Sequence, residues 1–290
     1  MSEIFERAYA KLNLSLDVLK KRGDGYHDMC MVMQSVSLCD DVFLSLRNDG
    51  EINISTNLSY LPCDERNIAF KAARAFFEAV KSPELGADIK ITKRIPVCAG
   101  MGGGSSDAAA VLRALNTALS APMNGDELEH LGATLGSDVP FCIRGGTALA
   151  EGRGELLKNL TPISQSHIVI CKPGFSVSTP LLFSRLDLSA VRYRPDTQGL
   201  VSALNNHDLN GVCRRMFNVF EDVLPTTADA ISEIKGVLLD MGALGAVMTG
   251  TGSAVFGIFD SSLNASEADS KLKKFYSEVF ITAAQKQLDL

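Results

Sequence analysis

The chain has 290 residues, of which 46% are apolar and 21% charged, and carries a formal net charge of -6. These proportions suit one large domain or two medium ones sharing a core. They exclude a disordered or low-complexity chain, and the acidic balance argues against a broad basic surface for nucleic acid.

The opening Met-Ser-Glu-Ile-Phe-Glu-Arg has acidic residues and no long apolar core, so neither a signal peptide nor a transit peptide is expected. No apolar run approaches the roughly 20 residues of a membrane span. A cytoplasmic protein with no membrane and no obligate protein partner is the expectation. Residues 7–19 alternate apolar positions at Leu12, Leu14, Leu16 and Val18, which predicts a strand with one buried face. Lys21-Arg-Gly-Asp-Gly25 is a turn cluster, and strands follow over 29–46 and 51–56. Ile68, Ala72, Ala75, Phe76 and Ala79 stand at helical spacing within 67–80. Residues 87–95 read as a strand, Ile89 and Ile91 inward and the lysines toward water.

A glycine-rich loop occupies 96–106, then an alanine-rich helix over 107–119 and another over 126–135, with Gly136 as its C-cap. The second half opens near residue 160, with a strand at 167–171. Helices are expected at about 199–205, 208–222 and 226–241, strands at 246–248 and 253–259, a helix at about 266–277, and a last short strand. Strands first and interleaved helices later argue an α+β fold.

Seven cysteines (Cys30, Cys39, Cys63, Cys98, Cys142, Cys171 and Cys213) form no C-x-x-C pair and no zinc-finger spacing, and read as reduced thiols packed as small core residues. His130, His167 and His207 lie in helix or strand patterns and read as structural or surface residues.

The loop Pro96-Val97-Cys98-Ala99-Gly100-Met101-Gly102-Gly103-Gly104-Ser105-Ser106 carries the chemistry. Glycines let backbone N–H groups approach an anion, and the helix that follows adds its free N–H groups and positive dipole end. Ser105 and Ser106 add hydroxyls. The loop is no P-loop, because Ser105-Ser106-Asp107 stands where lysine and Ser/Thr are needed, and G-x-G-x-x-G is absent as well. A triphosphate bound at a helix N-terminus is the expectation.

P-x-x-x-G-M-G-G-G-S-S-D-A-A resembles the ATP-binding motif of the GHMP small-molecule kinases. Ala10 to His27, with its Lys-Arg-Gly-Asp-Gly-Tyr-His run, and Gly136-Ser-Asp-Val-Pro-Phe141 fit the same family. Lys172 to Pro180 and Met248 to Phe256 fit it too, so the resemblance spans nearly the whole chain. It implies a two-domain α+β fold, divided as 1–160 and 161–290, with the active site in the cleft between domains. It also implies ATP, an expected Mg²⁺ whose ligands the sequence does not give, and a small-molecule acceptor bearing a cytidine diphosphate.

On its own, Asp138 reads as a turn aspartate leaving by a fixed, extended exit toward Val139-Pro140. The resemblance makes it the candidate base. Lys11 alone reads as a strand lysine facing water; the resemblance sets it near Asp138, stabilising the transferring phosphoryl group. Tyr26, His27 and Phe183 become the cytosine site, Tyr26 and Phe183 on the two faces of the base and His27 on its edge, with Asn13 and Thr179 as further substrate contacts. Asn67 is either a helix N-cap or a nucleotide-base contact, or both. Thr249-Gly-Thr-Gly252 is either a plain hairpin turn or a second close backbone approach to a ligand.

Overall fold

The fold is known from a computed structural model that describes residues 3–225 and 229–288. Strand β1 (Ile4–Lys21) runs to the turn cluster and returns as β2 (His27–Arg47), antiparallel throughout. The turn is held by Arg22 and Asp24: the Arg22 N–H donates to the Tyr26 carbonyl and the Tyr26 N–H to Asp24 Oδ1.

Strands β3 (Ile52–Thr56) and β4 (Gly86–Thr92) extend the sheet beyond β2, while β5 (Thr147–Gly152) pairs with another stretch of β2 and β6 (Leu156–Asn159) pairs with β5. Helices α1 (Ile68–Ala79), α2 (Gly103–Ala118), α3 (Gly125–Leu135) and α4 (Val139–Arg144) pack together, α2 lying directly on β1 and β2. Ala108, Ala109 and Ala110 of α2 have no exposed surface, and their small side chains let the helix sit close to its neighbours.

A second, four-stranded sheet has the order β11 (Glu278–Thr282), β7 (His167–Lys172), β10 (Val255–Phe259), β9 (Gly245–Met248). Helices α8 (Asp229–Asp240) and α9 (Ser262–Leu272) pack against it. Between the sheets lies a shared apolar cluster: Ala10, Leu12 and Leu14 of β1 and Val32 and Val36 of β2 meet Ile168, Ile170, Val247, Phe256 and Ile258.

This seam corrects the expectation of one buried face on β1. Residues 11–18 are buried on both faces, including Lys11, Asn13, Ser15 and Asp17. Leu14 is the extra residue of a β-bulge between Asn13 and Ser15, so Leu12 and Leu14 join the seam while Leu16 and Val18 join the main core around α2.

Three other expectations change, and a fourth begins outside the described residues. The helix expected at 208–222 is three pieces: α7 (Leu209–Cys213), a two-residue strand β8 (Phe217–Asn218) parallel to β1, and a 3₁₀ turn at Val219–Val223. Local propensity yields here because Asn218 bonds to the Met248 and Gly250 carbonyls and caps Phe220. The final helix is α9, ending at Leu272. The helix expected from 226 is α8, and its first three expected residues lie outside the described ones. After Asp138 the chain enters α4 instead of an extended segment, with Pro140 in the first turn, where its missing N–H costs nothing. Helices α5 (Thr179–Arg185) and α6 (Thr197–Asn205) complete the fold.

Candidate active site

The glycine loop turns sharply into α2. Gly100 (φ 75°) and Gly102 (φ 70°) occupy the left-handed region, and Gly102 is the N-cap residue of α2. The first intrahelical bond runs from the Ser106 N–H to the Gly102 carbonyl. The amides of Gly103, Gly104 and Ser105 therefore have no intrahelical acceptor and stand at the positive end of the helix dipole. The two serines divide their work: Ser106 is buried and donates to the Tyr9 carbonyl at 2.6 Å, whereas Ser105 is partly exposed and lines the cavities described below.

The Thr249–Gly252 turn between β9 and β10 docks on this loop. A Cβ on Gly100 would lie 2.2 Å from the Thr249 carbonyl oxygen, and one on Gly250 would lie 2.7 Å from the Gly100 carbonyl oxygen. The Ala254 N–H donates to the Ala99 carbonyl at 3.2 Å. Asn13 ties the turn to β1: its Oδ1 accepts from the Gly250 N–H at 3.0 Å and from Lys11 Nζ at 2.8 Å. Thr249-Gly-Thr-Gly252 is thus a hairpin turn that approaches the glycine loop closely, and Gly250, Thr251 and Gly252 also line the cavity that holds Lys11 and Asp138.

Two cavities open from the loop. One of about 410 Å³ is lined by Asn67, Ile68, Lys93 and the loop residues from Pro96 to Ser105. The other, of about 840 Å³, is lined by Lys11, Asp138, Tyr26, His27, Thr179 and Phe183, among others. Cys98, Gly100, Gly102 and Ser105 belong to both, so the cavities meet at the loop. Lys11 Nζ lies 3.4 Å from Asp138 Oδ2; the lysine side chain is 5% exposed and the carboxylate 30%. The Lys11 N–H donates to the Met101 carbonyl, fixing β1 to the loop beside the pair.

Of the expected acceptor residues, Tyr26 is exposed, with the Arg153 guanidinium 5.1 Å from its ring centroid. Phe183 stacks on His27, centroids 4.6 Å apart, and meets Phe220 edge-on. Burial, together with the charge of Lys21, lowers the His27 pKa and favours the neutral imidazole. Thr179 shares a 2.8 Å hydrogen bond with Thr251 across the cavity mouth. Asn13 has no exposed surface and is taken up by Lys11 and the hairpin. Asn67 is the N-cap of α1, its Oδ1 accepting from the Ala69 N–H and its amide donating to the Pro62 carbonyl.

Sequence reasoning missed Lys93. It is buried and donates to Asp40 Oδ2, to Asp107 Oδ2 at 2.6 Å and toward the Gly103 carbonyl. Asp40 also accepts the Arg94 and Ile95 N–H groups, so the cluster pins the strand end before the loop to the first turn of α2. One ammonium cannot balance two buried carboxylates. Burial pushes the Asp107 carboxyl up to about 8 despite Lys93, while the two carboxylates outweigh burial and raise Lys93. The signal lay in the strand's own period, since Lys93 is in phase with Ile89, Ile91 and Ile95.

Among the described residues no group of three or more His, Cys, Asp or Glu side chains could hold a metal ion. No described helix is long and apolar enough to cross a membrane.

The model for the GHMP kinases N terminal domain matches residues 67–146, and that for the GHMP kinases C terminal matches 200–278. The 4-diphosphocytidyl-2-C-methyl-D-erythritol kinase of Clostridium novyi (strain NT) is 44% identical over 279 residues, 96% of this chain and 99% of that protein. The chain belongs to the GHMP kinases, in the group of 4-diphosphocytidyl-2-C-methyl-D-erythritol kinases. A crystal structure of 4-(cytidine 5'-diphospho)-2C-methyl-D-erythritol kinase aligns with a TM-score of 0.82 at 31% identity, covering 97% of this chain and 99% of that one. Homoserine kinase from Cytophaga hutchinsonii aligns at 0.75 and 21% identity, covering 99% and 96%, and shows the shared fold alone. The GHMP kinase fold expected from the motifs is therefore the fold found, and ATP-dependent phosphorylation of a small molecule is the activity of its class.

Proposed function

We propose that this GHMP kinase transfers the γ-phosphoryl group of ATP to the 2-hydroxyl of 4-diphosphocytidyl-2-C-methyl-D-erythritol, in the non-mevalonate route to isoprenoid precursors. The observation that carries the reading is the meeting of two cavities at one glycine loop, with Lys11 and Asp138 on the wall of the larger.

The triphosphate lies along the loop, on the amides of Gly103, Gly104 and Ser105, with its base end toward Asn67. The acceptor fills the larger cavity, cytosine toward Tyr26, His27 and Phe183 and hydroxyl toward Asp138. Asp138 takes the hydroxyl proton as the oxygen attacks the γ-phosphorus and the bond to the ADP oxygen breaks. Lys11, held by Asn13, faces the negative charge on the transferring group. Asn13 acts by positioning Lys11 and the hairpin. A magnesium ion fits the available donors, because this cation keeps phosphate and water ligands and asks little of the protein beyond a hard oxygen such as the Ser105 hydroxyl. When bound it would neutralise triphosphate charge.

The division into domains 1–160 and 161–290 belongs to the same reading, supported by the membership of every strand except β8, which joins the first sheet beside β1; action in the cytoplasm belongs to it as well. The test is ADP release with ATP and the cytidyl acceptor, with homoserine and mevalonate as controls and mass analysis of the product. One added phosphate on the cytidyl acceptor alone is expected; turnover of homoserine or mevalonate instead would overturn the assignment.

A further inference from the structure

The larger cavity has a charge problem. An acceptor of this class carries a diphosphate between its base and its sugar alcohol. Among the described lining residues the cations are Lys11 and Arg153. Lys11 is buried and engaged by Asp138 and Asn13. Arg153 sits at the tip of the β5–β6 turn, 30% exposed, and its guanidinium makes no hydrogen bond to a described residue. Among the described residues its one ion-pair contact is with Glu155 at 3.7 Å, beyond hydrogen-bond distance, and that carboxylate also accepts the Arg153 backbone N–H at 2.7 Å. The charge of Arg153 also reaches the exposed Asp24.

The position is as informative as the charge. A Cβ on Gly154 would meet the Ser137 Cβ at 3.7 Å, so the turn rests on the residue just before Asp138. On its other side the guanidinium lies over Tyr26. Arg153 therefore stands between the end of the cavity where the hydroxyl reacts and the end where the base binds. A planar fork with open donors suits phosphate oxygens in two-point contact, which an ammonium does not reproduce.

We propose that Arg153 is a specificity-determining residue that hydrogen-bonds the diphosphate of the acceptor and so selects a cytidine diphosphate over an uncharged cytidine. This rests on the acceptor assignment above. A role confined to packing on Tyr26 would affect the base and not the phosphates, and that difference can be measured.

The experiment compares the wild-type protein with Arg153→Met, which keeps the stem and removes the fork, and with Arg153→Lys. Calorimetric binding of cytidine and of cytidine 5'-diphosphate is measured for each, with KM for ATP and thermal midpoint as controls on folding. The wild type should prefer the diphosphate. Arg153→Met should reduce that preference by about tenfold or more, with cytidine binding held within twofold, and Arg153→Lys should keep part of it. An unchanged preference in Arg153→Met, or equal losses for both ligands, would overturn the proposal. Failure of the wild type to phosphorylate the cytidyl acceptor would instead count against the kinase reading, and is scored separately in the ADP-release assay.

Discussion

Lys11 and Asp138 reach the same wall from different elements, the lysine from inside a buried strand and the carboxylate from the N-cap position of α4, and their charges stand 3.4 Å apart. The lysine is shielded from water and the carboxylate is open to the cavity. That asymmetry suits a carboxylate that must meet a substrate hydroxyl and a cation that must hold still.

Asp138→Asn should lower kcat by about 10²- to 10⁴-fold, the range for loss of a general base, with the thermal midpoint nearly unchanged. Lys11→Met should lower kcat as well, and its stability should also fall, because Asn13 loses a buried partner. Steady-state kinetics with melting curves checks both; a folded Asp138→Asn variant at normal kcat would remove the residue as the base.

Gly100→Ala should cost about 1–3 kcal/mol, since the new Cβ combines a left-handed backbone with a 2.2 Å clash against the Thr249 carbonyl. KM for ATP should rise with it, because the clash deforms the glycine loop on which the triphosphate is proposed to lie. Gly174→Ala is the control: no atom lies within 4 Å of its Cβ, and its midpoint should stay near that of the wild type. Equal midpoints for the two variants would contradict the docking described here.

The Asp107 carboxyl titrates at about 8 in the folded protein against 3.8 for the unperturbed group. Folding therefore retains a proton that the unfolded chain releases first, and stability should fall as pH rises from about 4 to about 8. Asp107→Asn should flatten this slope. Lys93→Met removes the one cation facing the buried Asp40 and Asp107 carboxyl groups, the latter largely protonated near neutral pH, and should cost about 3–5 kcal/mol there. Denaturant melts at several pH values, compared between variant and wild type, check the sign.

Tyr26→Ala and Phe183→Ala should each raise KM for the cytidyl acceptor about five- to hundredfold, the range for one lost stacking contact, while KM for ATP moves little. Phe183 is also packed on His27 and Phe220, so its variant should lose stability that the exposed Tyr26 does not. Equal rises in both KM values would show that these rings do not face the acceptor.

Residues with local signatures were legible in the sequence. The glycine run and the alanine-rich stretch after it specify a turn into a helix by their own conformational preferences, and α2 begins inside the run at Gly103. Asn67 before an apolar helical pattern announces an N-cap, and it is one. What escaped was set by contacts distant in sequence. Asn218 leaves a helical pattern because Met248 and Gly250 offer it better partners. Asp17 is buried because Arg194 reaches across to it. Lys93 is the instructive miss, because its strand phase pointed inward but its charge argued for water, and the carboxylates that resolve the conflict come from β2 and α2.

The interlock of Gly100 with Gly250 makes the glycine loop a joint product of both ends of the chain. A chimera that joins the first half of one relative to the second half of another would inherit a loop and a hairpin shaped for different partners. Recombination within the family should therefore succeed when residues 98–102 and 249–254 travel together, and fail in ATP binding before it fails in folding when they do not.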